Sequence, residues 1–221
     1  MKTGNLTWTK DGSHTLFNEK TGEHYHSIFG AVQESKHIFI RAGLMAVTPI
    51  PRVLRVLEVG FGTGLNALLT LLWSGKEEQP VHYTGIEPFP LSLTVVRKLN
   101  YPVLLQTDRL LLEKLHQAKK SQPVTPFFTL DLLPETFQLF EAPDNYFHVV
   151  YFDAFSPDSQ PEMWTEEGFR KLFRMLVPHG ILVTYSCKGR VKRALKSAGF
   201  QIEKLPGPPG KREFLRAFAR K

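Results

Sequence analysis

The sequence predicts an α/β fold, a doubly wound and mostly parallel sheet that binds its ligand at the carboxyl edge. Three observations lead there. Leu54, Val56, Leu57 and Val59 form a short buried-strand pattern, followed by Gly60, Gly62 and Gly64 and then by an apolar helical run from Leu65. Strand-like and helix-like stretches alternate from there to the C-terminal region, the pattern of a parallel sheet. Successive strand-like runs also close on acids, at Glu87, Asp131 and Asp153. Ligands bind at that edge in doubly wound folds.

Taken in order, residues 1–50 read as an N-terminal extension. Trp8 begins a strand, Asp11-Gly12 gives a hairpin signal, and Thr15–Phe17 is the return strand. Tyr25–Ser35 leads as loop or strand into His37–Ile40. His24 and His26 match no common zinc spacing and have no cysteine partner, so they are expected to be polar loop residues beside a cleft, without a metal. Pro49 and Pro51 mark the start of the main domain, residues 51–221.

Leu65–Ser74 is the first expected helix, ended by Gly75, and Val81–Glu87 the second strand. Pro90–Leu99 and Leu104–Lys120 are expected helices, with Tyr101-Pro102 breaking between them. Phe127–Asp131 is the third strand, and Leu132–Phe140 reads as helical. Phe147–Asp153 is the fourth strand, Phe169–Leu176 a helix, and Ile181–Tyr185 the fifth strand. A basic helix over Gly189–Ala198 precedes an antiparallel pair, Phe200–Leu205 with Glu213–Ala219.

The composition excludes several classes. A chain of 221 residues suits one α/β domain better than two. No run reaches the ~18–20 apolar residues of a membrane span, and the first residues lack the apolar core of a leader. Cys187 is the single cysteine, so no internal disulfide forms. These features favour the cytoplasm and argue against a membrane partner. Residues 188–221 hold eleven Lys or Arg against Glu203 and Glu213, a local charge of +9. Taking that from the overall +7 leaves −2 for residues 1–187. Such a field suits a polyanion, and it equally suits a solvated face that maintains solubility.

The glycine spacing is Gly-x-Gly-x-Gly, one residue tighter than the dinucleotide fingerprint, which disfavours an NAD-dependent dehydrogenase. Leu57-Glu58-Val59-Gly60-Phe61-Gly62-Thr63-Gly64 resembles motif I of the class I methyltransferases, which bind S-adenosylmethionine. Together with Ile86–Leu91, Phe152–Pro157, Pro161–Trp164 and Gly210–Glu213, it resembles the MnmC-type tRNA methyltransferases over nearly the full length. The resemblance implies a Rossmann-like methyltransferase whose S-adenosylmethionine lies against Glu58, Gly60, Gly62, Gly64, Asn66, Glu87, Asp131 and Asp153. It implies N-methylation of 5-aminomethyl-(2-thio)uridine at the wobble position of tRNA, reached through the anticodon stem-loop. Many members are fused to a flavin-dependent oxidase; this sequence is similar to the stand-alone form, so no flavin is expected.

Asp153 is the candidate catalytic residue, to hold the acceptor amine and take its proton. Phe155, Pro157 and Trp164 could wall the pocket, since aromatic faces stack on an extruded base; each could equally be core. Arg190, Lys192, Arg193, Lys211 and Arg212 are candidate tRNA contacts, with Lys196 on the same basic helix. An aminopropyltransferase of the spermidine-synthase type or a small-amine methyltransferase is the nearest rival. The basic C-terminal region argues against a small cationic substrate. A non-catalytic RNA-binding protein on a degenerate fold is a third reading, against which the intact glycine turn stands.

Overall fold

The computed structural model describes residues 5–221; residues 1–4, the start of the expected extension, lie outside it. Strands β1 (Leu6–Trp8), β2 (His14–Asn18) and β3 (Glu23–His24) form a small antiparallel sheet. Helix α1 (Ala31–Ser35) follows, and a π-helical segment, Lys36–Arg41, continues it. Ile38, Phe39 and Ile40, expected in loop or strand, are thus helical and buried. An unbroken apolar run signals burial on all sides and does not separate a buried strand from a buried helix turn.

The main sheet contains β4 (Leu54–Val59), β5 (Val81–Ile86), β6 (Gln122–Thr125), β7 (Phe128–Leu133), β8 (Phe147–Phe152), β9 (Leu176–Thr184), β10 (Gln201–Pro206) and β11 (Glu213–Phe218). Their order is β10-β11-β9-β8-β4-β5-β7-β6. The five strands β9, β8, β4, β5 and β7 run parallel, and β11, β10 and β6 complete the edges antiparallel. Side chains alternate between two cores. Leu54 and Val56 join the one containing Ile38, Phe39, Leu65 and Leu68. Leu57 and Val59 join the one containing Trp164, Phe169, Leu172, Val191 and Leu195. Each such side chain removed from water contributes roughly 1.5–3 kcal/mol.

Several expected boundaries move. Helix α2 (Leu65–Lys76) runs through Gly75, which is exposed and faces open space, so the cost of a helical glycine is not compounded by packing. The helix expected over Pro90–Leu99 shortens to α3 (Leu93–Val96). Tyr101-Pro102 opens α4 (Tyr101–Leu104) and does not merely break the chain, because proline is tolerated in a first turn. The single helix expected from Leu104 is interrupted where Gln106 turns left-handed, φ 51°, and Asp108 caps α5 (Arg109–Gln117) by accepting the Leu110 N–H. No helix forms over Leu132–Phe140. Strand β7 continues to Leu133 because Ile86 of β5 pairs with it. Pro134 then follows, and Phe137 and Phe140 reach the core from a turn. Helices α6 (Glu166–Met175) and α7 (Gly189–Ser197) lie near their expected places.

Candidate active site

The carboxyl ends of β4, β5 and β8 open onto a cavity of about 1010 Å³. This is at the upper end for ligand sites, with room for two reactants. Gly60 follows β4 with φ 92°, and a Cβ there would lie 2.6 Å from the Asp153 carbonyl oxygen. Only glycine lets the turn pass this close to the end of β8. Gly62, φ 51°, gives the same freedom on the other side, where a Cβ would meet the Tyr25 ring at 2.9 Å.

Glu87 follows β5. Its carboxylate accepts the N–H groups of Gly62 at 2.9 Å and Phe89 at 3.0 Å, which ties the glycine turn to the neighbouring strand end. Burial raises its carboxyl above the usual range, and those two N–H groups oppose the shift. Asp153 follows β8; its Oδ2 accepts Asn66 Nδ2 at 2.9 Å. Burial, then the charge of Glu34, pushes its carboxyl up to about 7, against the Asn66 hydrogen bond and the Lys211 charge.

Beneath the cavity lies a second layer. Asn66 Nδ2 also donates to Glu58 Oε1 at 2.8 Å, and Tyr83 OH donates to Glu58 Oε2 at 2.8 Å. Glu58 is fully buried and is held well above the carboxylate range by burial and by Asp153. Glu58 and Asn66, which the resemblance placed against the cofactor, instead support Asp153 from below and do not line the cavity. Gly64 caps α2 against His116 and Phe61 and is likewise off the wall.

Asp131 is displaced further. It stands inside β7 opposite Thr84, bonds His82 Nε2 at 2.8 Å and accepts the Ser121 N–H, so it is consumed structurally away from the cavity. The extra pairing of β7 up to Leu133 moved the strand end past it. Phe155 lines the cavity, in edge contact with Tyr25 at 5.0 Å. Pro157 is buried off the wall, and Trp164 is core, packed on Phe152 with its Nε1 donating to the Phe155 carbonyl at 2.9 Å.

The N-terminal segment supplies wall residues that strand-end acids could not reveal. Residues 18–27 lie over the cavity and contribute Glu23, Tyr25, His24 and His26. Glu23 fastens this segment by accepting the Ser156 N–H at 2.9 Å and the Ser159 hydroxyl at 2.6 Å. His26 Nε2 shares a 2.6 Å hydrogen bond with Thr63 Oγ1, and burial lowers its pKa to about 4, so it is neutral. Tyr25 is pushed up to about 12 by burial and Glu87. His24 and His26 do line the cleft; among the described residues no cluster of three His, Cys, Asp or Glu could hold a metal ion.

Of the basic residues, Lys211 is not on the outer surface: it lines the cavity and pairs with Glu34. Arg190 pairs with Asp158, together with Lys188. Arg193, Lys196 and Arg212 are exposed, and Lys192 is half-buried. No helix among the described residues is long and apolar enough to cross a membrane.

A doubly wound sheet, a glycine turn, an acid after the neighbouring strand and an acid-floored cavity define a nucleotide-cofactor enzyme of the α/β class. The chain belongs to the S-adenosyl-L-methionine-dependent methyltransferase family, whose model matches residues 109–220. It is 32% identical over 230 residues to the tRNA 5-methylaminomethyl-2-thiouridine biosynthesis bifunctional protein MnmC of Burkholderia multivorans (strain ATCC 17616 / 249), covering 95% of this chain and 34% of that protein. It thus spans about a third of the length of such curated relatives. The crystal structure of MNMC2 from Aquifex aeolicus superposes with a TM-score of 0.81 at 27% identity, over 100% of this chain and 71% of that one. Spermidine synthase from Thermotoga maritima, at 14% identity and a TM-score of 0.52 over 97% and 71% of the two chains, shares the fold alone.

The cavity suits the family's cofactor. The glycine turn at Gly60 and Gly62 presents backbone to the cavity beside Asp153, and Glu87 keeps carboxylate lone pairs at the position where such folds hold ribose hydroxyls. When bound, S-adenosylmethionine supplies a methyl group already activated on a sulfonium.

Proposed function

We propose that this chain methylates the amine of 5-aminomethyl-(2-thio)uridine at the wobble position of tRNA, giving the 5-methylaminomethyl product. The relatives' name supports the substrate, since it specifies tRNA 5-methylaminomethyl-2-thiouridine biosynthesis. The observation that carries the reading is the placement of Asp153, which follows β8, lines the cavity beside Gly60, Gly62 and Glu87, and is oriented by Asn66; burial adds to this by raising its carboxyl to about 7.

The chemistry asks for orientation and one proton transfer. An alkylamine of pKa about 10 is nucleophilic in only about one molecule in a thousand at neutral pH. Asp153 is the acceptor-side carboxylate: it receives the ammonium, takes its proton and leaves the lone pair aimed at the glycine turn. Its raised proton affinity narrows the gap to the amine, which an ordinary carboxylate would not do. Gly60, Gly62 and Glu87 hold the cofactor, and Asp153 bounds it on the acceptor side. Asn66 and Glu58 support Asp153. Phe155 and Tyr25 wall the base. Because the donor is already activated, this transfer needs neither a metal nor a flavin.

Exposed Arg193 and Arg212, with Lys192 and Lys196, contact the backbone of the anticodon stem-loop, and the protein works in the cytoplasm. The N-terminal extension, residues 1–50, and the methyltransferase domain, 51–221, act as one unit, since both line the cavity. The test uses labelled S-adenosylmethionine with tRNA from cells lacking this modification and, separately, with a diamine. Label in tRNA is expected. Transfer only to the diamine would overturn the assignment in favour of a small-amine enzyme.

A further inference from the structure

Two residues far apart in the chain meet on the wall beside Asp153. Glu34 comes from α1 and is buried; Lys211 comes from the turn between β10 and β11. Their side chains form an ion pair and both line the cavity. Glu34 Oε2 also accepts the Ser27 N–H at 3.0 Å. Lys211 Nζ sits 4.6 Å from the centre of the Tyr185 ring, and Tyr185 OH donates to the Ala154 carbonyl at 2.9 Å, one residue after Asp153. Next to it, Gly210 has φ 84° and packs so close to Phe29 that a Cβ would overlap that ring, so the turn carrying Lys211 is held against the N-terminal segment.

We propose that the Glu34–Lys211 pair is a positioning element of the acceptor subsite, through which the two ends of the chain set the charge that Asp153 presents to an incoming alkylammonium. This rests on the amine-methylation reading above and adds two residues to it.

The charges that face Asp153 are few. From below, Glu58 is fully buried and its carboxyl is raised well above the usual range by burial and by Asp153 itself. From the N-terminal segment, His26 is neutral, and beyond β9, Tyr185 is held protonated by burial and by the surrounding carboxylates. Glu34 and Lys211 remain as the charged neighbours that act on it, Glu34 raising its proton affinity and Lys211 lowering it. As a pair they offset each other in part, with Glu34 the stronger influence; singly, each acts with its own sign. An unpaired Glu34 would make Asp153 a stronger base but one neutral at working pH. An unpaired Lys211 would keep Asp153 ionised and repel the ammonium.

The sign pattern gives the test. Asp153 is followed by carboxyl ¹³C NMR of aspartate-labelled protein, with Asp153→Asn assigning its signal; no RNA is needed. Glu34→Gln moves its titration to lower pH and Lys211→Met to higher pH, each by about one pH unit, the ordinary effect of one nearby charge. The double variant titrates between the two single ones. The acidic limb of kcat/KM with tRNA moves in the same directions. Glu34→Asp and Lys211→Arg, which keep the charges, leave the titration in place. Shifts of the same sign in both charge-removing variants, or no shift in either, would overturn the proposal and leave the pair a structural strut. If the titrations separate as stated while no nucleoside is methylated, the charge pair stands and the substrate reading fails.

Discussion

Replacing Asp153 with Asn should destroy activity and stabilise the fold, with a defined dependence on pH. The carboxyl is pushed from an ordinary 3.8 to about 7 in the folded protein. A raised carboxyl pKa means that the folded state binds the proton more tightly than the unfolded chain. Ionised Asp153 therefore costs nothing below about pH 4, costs progressively more from there to pH 7, and reaches a plateau above it. At 1.36 kcal/mol per unit the plateau is about 4 kcal/mol, of which about 1.4 kcal/mol accrues between pH 6 and pH 8. The side-chain amide introduced by Asp153→Asn would turn its carbonyl to Asn66 Nδ2, keep that hydrogen bond and escape the penalty. Urea unfolding of both proteins at pH 6, 7 and 8 measures the difference. The advantage of the variant should widen by about 1.4 kcal/mol across that range, while methyl transfer falls by about 10²–10⁴-fold and cofactor affinity is largely kept. Parallel stability curves would refute the raised carboxyl, and near-normal turnover would refute its role.

Gly60→Ala should cost at least about tenfold in S-adenosylmethionine affinity by calorimetry, since the new Cβ would press to 2.6 Å on the Asp153 carbonyl. Trp164→Ala should destabilise by about 3–5 kcal/mol, and Trp164→Phe should retain the tRNA KM, because Trp164 is buried in the core; a large KM change in the Phe variant would return it to the pocket wall. Charge reversal at Arg193 and Arg212, exposed residues, should raise the tRNA KM and flatten its salt dependence with kcat retained, as steady-state kinetics at several salt concentrations would show. Glu23→Gln should weaken the hold on Ser156 and Ser159, increasing amide exchange over residues 18–27.

Features fixed by local chemistry were legible in the sequence. The turn at Gly60 and Gly62 requires left-handed backbone, and the acids at Glu87 and Asp153 stand where apolar runs stop. Features fixed by neighbours were not. Asp131 looked like a strand end until β5 paired β7 two residues further. Trp164 could face a cavity or a core, and only its packing on Phe152 decides. Lys211 reads as one charge in a basic run; its inward partners, Glu34 and Tyr185, lie elsewhere in the sequence. The helix over Ile38–Ile40 is hidden for a similar reason, since burial on every side erases the period that would distinguish it from a strand.

Methyl transfer to an aminomethyl nucleoside can be read directly. The most direct measurement incubates the protein and S-adenosylmethionine with tRNA from cells lacking this modification and reads the digested nucleosides by mass spectrometry. 5-Aminomethyl-2-thiouridine should gain one methyl group, and Asp153→Asn should abolish the gain. Cofactor binding with no nucleoside methylated would contradict the proposed function.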